Sequence, residues 1–221
     1  MFIFQHCRLE ALNTDNEEYC PQVIAEKLLN RYDCIKISVP SIYFNVDFIG
    51  SLSSSPDKIN FPNYSFNAEI YYMLKSKKPI DDIINYYHSV KYTTEEIERH
   101  FECALHNLTS REQKNQVTIS LSGFLKENFR KTRLMHTTNH PNKHVFHYLV
   151  NEIYRLIDIP YDHSILFRQD KMVKFGHMFI LPCMKRYFKQ YGREDDDFVL
   201  SEGGKFFTNF NEYIYYLQQF V

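Results

Sequence analysis

Thr137-Thr138-Asn139-His140 forms a polar cluster between a short apolar run and Pro141. An imidazole titrates near neutral pH, so His140 can act as a general base or acid. Asn139 beside it can contact a polarised oxygen or a cofactor. The competing reading is an ordinary turn in which His140 only caps a helix and satisfies nearby backbone groups. A second cluster, Gln5-His6-Cys7-Arg8, follows Phe2-Ile3-Phe4, and a third, Ser41 with Tyr43, follows Cys34-Ile35-Lys36-Ile37-Ser38-Val39. Arg8 can make a charge-assisted contact to an anion. His6 next to Cys7 invites a Cys–His pair, but adjacent side chains on a strand point to opposite sides, which argues against one. There is no GxSxG, hence no nucleophile elbow.

Elements that would position these clusters can be read from pattern. Phe2-Ile3-Phe4 reads as a short buried strand. Pro21 suits the first position of a helix whose apolar face carries Val23, Ile24 and Leu28. Cys34–Val39 alternates and stops at Pro40, as a strand does. Strand, helix and strand in so short a span form a βαβ unit, so the two strands are expected to be parallel. Residues 51–63 read as loop. Helices follow over about 66–75 and 79–87. Thr93 with Glu96 makes a capping box for a helix bearing Ile97, Phe101, Ala104, Leu105 and Leu108. A helix is expected over about 120–130, a strand over Arg133–Thr137, and a helix opened by Pro141 with Val145, Phe146, Leu149, Ile153, Leu156 and Ile157 on its apolar stripe. Pro182 to Tyr191, stopped by Gly192, and Glu212 to Phe220 complete the helices. The carboxyl ends of parallel strands lie along one edge, so the three clusters should converge there, with helix N-termini at Pro21 and Pro141 suited to a phosphate.

Composition narrows the function classes. With 221 residues and 44% hydrophobic content the chain can bury a core, and a net charge of −1 gives no global attraction to nucleic acid or an acidic membrane. The 17 Tyr and 19 Phe, without Trp, read mainly as core filling. Five scattered cysteines lack CxxC spacing, which excludes a zinc ribbon or thioredoxin motif and suits reduced thiols in the cytoplasm. No apolar run approaches the ~18 residues of a membrane helix.

Several segments together resemble the WcbI-type polysaccharide biosynthesis family. They are Phe2-Ile3-Phe4-Gln5-His6, Val39-Pro40-Ser41-Ile42-Tyr43-Phe44, the stretch Ile119-Ser120 to Phe129-Arg130, and Leu134-Met135-His136-Thr137-Thr138-Asn139-His140-Pro141; a weaker likeness covers Phe179 to Tyr187. The resemblance implies an acetyltransferase of capsule assembly using coenzyme A or acetyl-coenzyme A on a small-molecule or glycan acceptor. It implies His140, Asn139 and His6 as catalytic residues, with Gln5, Arg8, Ser41, Tyr43 and Thr138 toward the cofactor. Family members usually carry an upstream strand and a Gly-Asn-Cys-Gln loop, and this sequence contains no such loop. Without that upstream strand the sheet is expected to have an uncovered edge through which oligomers can form. The expected architecture is a single α/β domain over residues 1–221: a small, mostly parallel sheet flanked by helices, with a helical insertion over about 64–116. An ester hydrolase with His140 as base and a non-catalytic binding relic are the alternatives to an acetyltransferase.

Overall fold

The computed structural model describes residues 1–6, 17–49, 67–89, 92–161, 164, 178–194, 199–200, 206–207 and 209–221. Cys7, Arg8 and the 51–63 loop lie outside the described residues. At the amino end, β1 (Phe2–Gln5) and β2 (Lys36–Val39) pair in parallel, with Phe2 opposite Lys36 and Gln5 opposite Val39. Between them runs α1 (Pro21–Leu29), with Pro21 in its first turn. Its closest approach to the interior is Ala25, which is fully buried, while Val23, Ile24 and Leu28 are half-buried. The strand–helix–strand unit is therefore present.

No third strand joins this sheet among the described residues. On β2 a clasp forms instead at Ser38. Its carbonyl accepts from Thr118 N and Ile119 N at 3.0 and 3.1 Å, its N–H donates to Thr118 Oγ1 at 3.1 Å, and its hydroxyl accepts from Thr118 N at 3.0 Å. A serine within a buried strand thus uses its polar atoms to replace a neighbouring strand.

Three helices follow β2 in the chain: α2 (Ala68–Lys75), α3 (Ile80–Ser89) and α4 (Thr94–Asn115). Asn67 caps α2, accepting from Glu69 N and Ile70 N. The capping box of α4 is formed as the sequence indicates, with Thr93 Oγ1 accepting from Glu96 N and Glu96 Oε2 accepting from Thr93 N. Ile97, Phe101, Leu105 and Leu108 make its buried stripe. Near its end the buried Glu112 turns toward α5 (Ser122–Asn128) and accepts from Leu121 N, Ser122 N and Ser122 Oγ at 2.5, 3.0 and 2.6 Å. That carboxylate satisfies amides at a helix start, where the dipole favours negative charge.

Phe44, Phe101 and Phe129 form the aromatic centre of the core. Phe101 and Phe129 stack at 4.7 Å, and Phe44 meets both edge-on at 6.2 and 5.8 Å. Burying each ring contributes roughly 1.5–3 kcal/mol by area alone. The remaining elements are α6 (Lys143–Leu156), α7 (Pro182–Lys189), a two-residue antiparallel pair of β3 (Val199–Leu200) and β4 (Phe206–Phe207), and α8 (Phe210–Leu217). The β3–β4 pair has no counterpart in the sequence reading. Gly192, at φ +76°, ends the α7 region in the left-handed conformation that glycine adopts without strain.

Three expectations are corrected. Arg133–Thr137 is not a strand of the sheet: Met135 bridges only to Pro141, on the return limb of its own loop. Pro141 does not open α6, because Asn142 caps it by accepting from His144 N, so the proline stands just outside. Phe146 and Leu156, read as part of the apolar stripe, are each 39% exposed.

The interior also holds one ion pair, Arg193–Asp47, at 2.9 Å with both side chains 1% exposed. Arg193 also donates to Phe129 O and lies 3.7 Å over the Phe188 ring. Removing one member of a buried pair strands its partner in low dielectric. Asp47→Ala should therefore lower unfolding free energy in urea by about 3–5 kcal/mol, whereas Asp47→Leu with Arg193→Met should recover most of that loss. A single-variant loss below about 1 kcal/mol, the range of an exposed pair, would contradict the pair's role.

Candidate functional site

The site is built on a tight loop closed at its neck. Asn142 N donates to Leu134 O at 2.9 Å and His136 N donates to His140 O at 2.8 Å, which folds residues 136–140 into a compact turn. Arg133 braces it from inside, donating to Met135 O at 2.8 Å, His136 O at 3.2 Å and Met178 O at 2.5 Å. Asn142 Nδ2 donates to Arg133 O. Thr137 and Thr138 are buried, Asn139 is exposed and His140 is half-buried. A rigid, satisfied base thus presents an amide and an imidazole at its tip.

The Thr137 hydroxyl organises that tip. It lies 2.7 Å from His140 Nδ1 and 3.0 Å from Asn139 Oδ1, and it accepts from His140 N at 3.2 Å. Asn139 Oδ1 can only accept, so the hydroxyl's single proton is directed there. With that proton directed at Asn139, the geometry pairs with an imidazole protonated at Nδ1 that donates to Thr137 Oγ1. The lone pair is left on Nε2, and Asn139 is oriented with Nδ2, a donor, on its far side. One hydroxyl therefore fixes both the tautomer of a potential base and the direction of an amide donor.

Burial holds the His140 imidazole below its ordinary value of 6.5, so it is neutral at neutral pH. The folded value lies below the unfolded one. The stability tied to the neutral ring is therefore complete above the ordinary value and is lost as pH falls through the folded value. His6 is likewise held low, first by burial and then by the charge of Lys36.

Hydrogen bonds tie Gln5 and His6 to the end of β2, and the 41–44 segment beyond it to the Thr137–His140 loop, which does not follow a strand. Gln5 Nε2 donates to Pro40 O at 3.2 Å, and His6 N donates to Val39 O at 3.0 Å. Four residues past Pro40, Phe44 N donates to Thr138 O at 2.8 Å. Between these points Ile42 and Phe44 turn inward while Ser41 and Tyr43 are half-buried, the alternation of an extended segment. Arg111, from α4, holds this segment by donating to Tyr43 O at 3.0 Å. Gln5 is exposed, and His6 packs its ring 5.1 Å from Phe4. Thr138 is 8% exposed and its carbonyl is engaged by Phe44, so its side chain has little surface for a ligand.

Sequence reasoning did not single out Thr137, Arg133 or Lys36. A threonine three residues before a histidine in a turn-forming stretch is the pattern of a side chain bonding local backbone, and that signal could have found Thr137. Nothing in the sequence pointed to Arg133, whose role depends on carbonyls brought together by folding. Among the described residues, no group of three or more His, Cys, Asp or Glu side chains is placed to hold a metal ion, and no helix is long and apolar enough to cross a membrane.

Comparison with known proteins decides the family. The model for the polysaccharide biosynthesis enzyme WcbI matches residues 25–162, more than half of the chain. The chain belongs to the WcbI family. The matched region contains β2, the 41–44 segment and the Thr137–His140 loop, and it excludes Gln5 and His6. A solved structure of WcbI is similar to this chain with a TM-score of 0.74 and 15% identity, over 99% of this chain and 70% of that one. It is described as a novel polysaccharide biosynthesis enzyme, in a native form without the disulfide bond between coenzyme A and one of its cysteines. At that identity the likeness establishes a shared fold. No curated protein sequence matches the chain.

The Thr137 arrangement gives a direct spectroscopic expectation. In ¹⁵N-resolved NMR, neutral His140 should be predominantly the Nδ1–H tautomer, with a titration midpoint below 6.5. Thr137→Ser should preserve the tautomer and Thr137→Val should shift the ring toward Nε2–H. A ring that is Nε2–H in the unmodified protein would refute the proton assignment.

Proposed function

We propose that this WcbI-family chain transfers acetyl from acetyl-coenzyme A to a sugar hydroxyl during assembly of a capsular polysaccharide in the cytoplasm. The observation that supports it most is the shared hydroxyl of Thr137, which turns His140 Nε2 into a proton acceptor and aims Asn139 Nδ2 outward.

The donor set suits coenzyme A in chemical type. Pantetheine carries amides that need donors and acceptors on an exposed rim, and the exposed Gln5 and Asn139 amides offer both. Ser41 and Tyr43, half-buried on the extended segment between them, would line the arm. Phosphates need cations. Lys36, whose charge acts on His6, is one candidate, and Arg8, outside the described residues, is the second we assign. Bound there, acetyl-coenzyme A would supply an activated acetyl thioester.

In this reading His140 Nε2 accepts the proton of the attacking sugar hydroxyl while Nδ1–H stays anchored on Thr137 Oγ1. The imidazolium that forms is stabilised by that anchor, and its new proton then goes to the departing sulfur. Asn139 Nδ2 donates to the acetyl oxygen as negative charge gathers on it, the effect that oxyanion donors provide. Burial keeps the ring neutral, and so ready to accept a proton, at neutral pH. His6 would serve as a secondary polar group at the rim.

Coenzyme A at a hundredfold excess over its dissociation constant should stabilise the protein by about 2.7 kcal/mol in thermal unfolding. With acetyl-coenzyme A and an acceptor sugar, His140→Ala should lower turnover by roughly 10²–10⁴-fold while leaving the fold intact. No thermal shift at millimolar coenzyme A, or full turnover in His140→Ala, would remove the proposal. Acetate release independent of any acceptor would replace it with ester hydrolysis.

A further inference from the structure

A polar groove lies at the opposite end of α4 from Arg111. It is lined by Ser89 at the end of α3, Tyr92 just before α4, Thr94 at its first position, Arg186 and Tyr187 on α7, and Gln190 just after α7. The groove offers about 250 Å³. Pockets that swallow drug-sized ligands run to roughly 300–1,000 Å³, so this one has room for a single ring rather than a nucleotide or a coenzyme. Thr94 to Arg111 spans about 25 Å at roughly 1.5 Å per residue, so along α4 the groove lies about that far from the Arg111–Tyr43 contact.

Its chemistry is that of a polyhydroxy ligand. The Tyr92 and Thr94 hydroxyls, the Gln190 amide and the Arg186 guanidinium bring donors and acceptors to its walls, and the buried Ile97 and Cys183 give an apolar surface for the C–H face of a ring. One wall is built rigidly. Tyr187 donates its hydroxyl to Glu98 and accepts from Arg130 Nε at 3.2 Å, while Arg130 Nε also lies 3.0 Å from Glu98 Oε1. Arg130 in turn sits 4.5 Å over the Phe101 ring of the core. Burial and Glu98 raise the Tyr187 hydroxyl well above its ordinary value and keep it protonated, and Tyr92 is raised by burial and the carboxylate of Glu69.

Charge argues against an anion. The described charged groups acting on this region are the carboxylates Glu69, Glu96 and Glu98 and the cations Arg99, Arg130 and Arg186, with His100 beside Glu96. Positive charge is therefore not in excess, and the amide of Glu96 is already taken by the Thr93 cap. A phosphate has no built cradle here, whereas a neutral ring needs none.

We infer that the α3–α4–α7 groove binds a neutral sugar ring at a position distinct from the Thr137–His140 loop. The inference shares with the proposed acetyl transfer only the premise that the chain handles a glycan. It assigns the groove to another unit of that glycan.

The test is amide-shift NMR on the full chain with methyl glucoside, methyl galactoside, methyl mannoside, N-acetylglucosamine and maltose at millimolar concentrations, with inorganic phosphate as a separate arm. At least one sugar should shift amides of residues 92–97 and 183–190. Arg186→Ala with Gln190→Ala, both at exposed positions, should weaken that binding by about tenfold or more while coenzyme A binding, measured in parallel, stays unchanged. The inference is overturned if none of the sugars shifts these amides or if phosphate shifts them more strongly. It is also overturned if the sugars act only around 137–140, an outcome that leaves the acetyl-transfer reading standing. Loss of coenzyme A binding in the unmodified chain would undo the acetyl-transfer reading without touching the groove.

Discussion

The hydrogen bond from Phe44 N to Thr138 O is the tie on which the arrangement of the site depends. It joins the extension of β2 to the loop bearing Asn139 and His140, across a long stretch of chain that contains α2 to α5. Closing so large a loop costs chain entropy that a single bond cannot offset. The offset comes from beneath, where Phe44 itself packs against Phe101 of α4 and Phe129 beyond α5. The helices between the two site segments are thus the material that holds those segments together.

Charge in this protein is used largely to manage backbone. Arg133 satisfies carbonyls of Met135, His136 and Met178, Glu112 satisfies amides at the start of α5, and Arg193 divides its donors between Asp47 and Phe129 O. Irregular segments bury polar groups that helices and sheets would pair internally, and each unpaired one is costly. Where the described parallel sheet has two strands, such side chains take the place of neighbouring strands. Ser38 and Thr118 make the same substitution with hydroxyls.

Local rules were the legible part of the sequence. The β1–α1–β2 unit, the Thr93–Glu96 box and the Gly192 stop each follow from residues adjacent in the chain, and each is present. Leu134-Met135 misled because an apolar pair looks the same whether its backbone pairs with a sheet or with its own return limb. Pro141 misled for a related reason: proline at a helix start and asparagine at a cap compete for adjacent positions, and Asn142 won through its bond from His144 N. At the site, His140 and Asn139 were visible by residue type, whereas the expected convergence rested on a strand ahead of Thr138 that is not formed, and the 137–140 loop is tied to the 41–44 segment by the Phe44–Thr138 bond instead. The Thr137 hydroxyl was not visible, because its importance lies in how one proton is shared among three neighbours.

α4 is a single 22-residue helix whose two ends do different things. Glu98 near its start holds the Tyr187 hydroxyl, and Arg111 near its other end holds Tyr43 O, beside the segment that bonds Thr138. Because one helix carries both side chains, a shift of α4 along its axis would displace α7 and the Tyr43 carbonyl together.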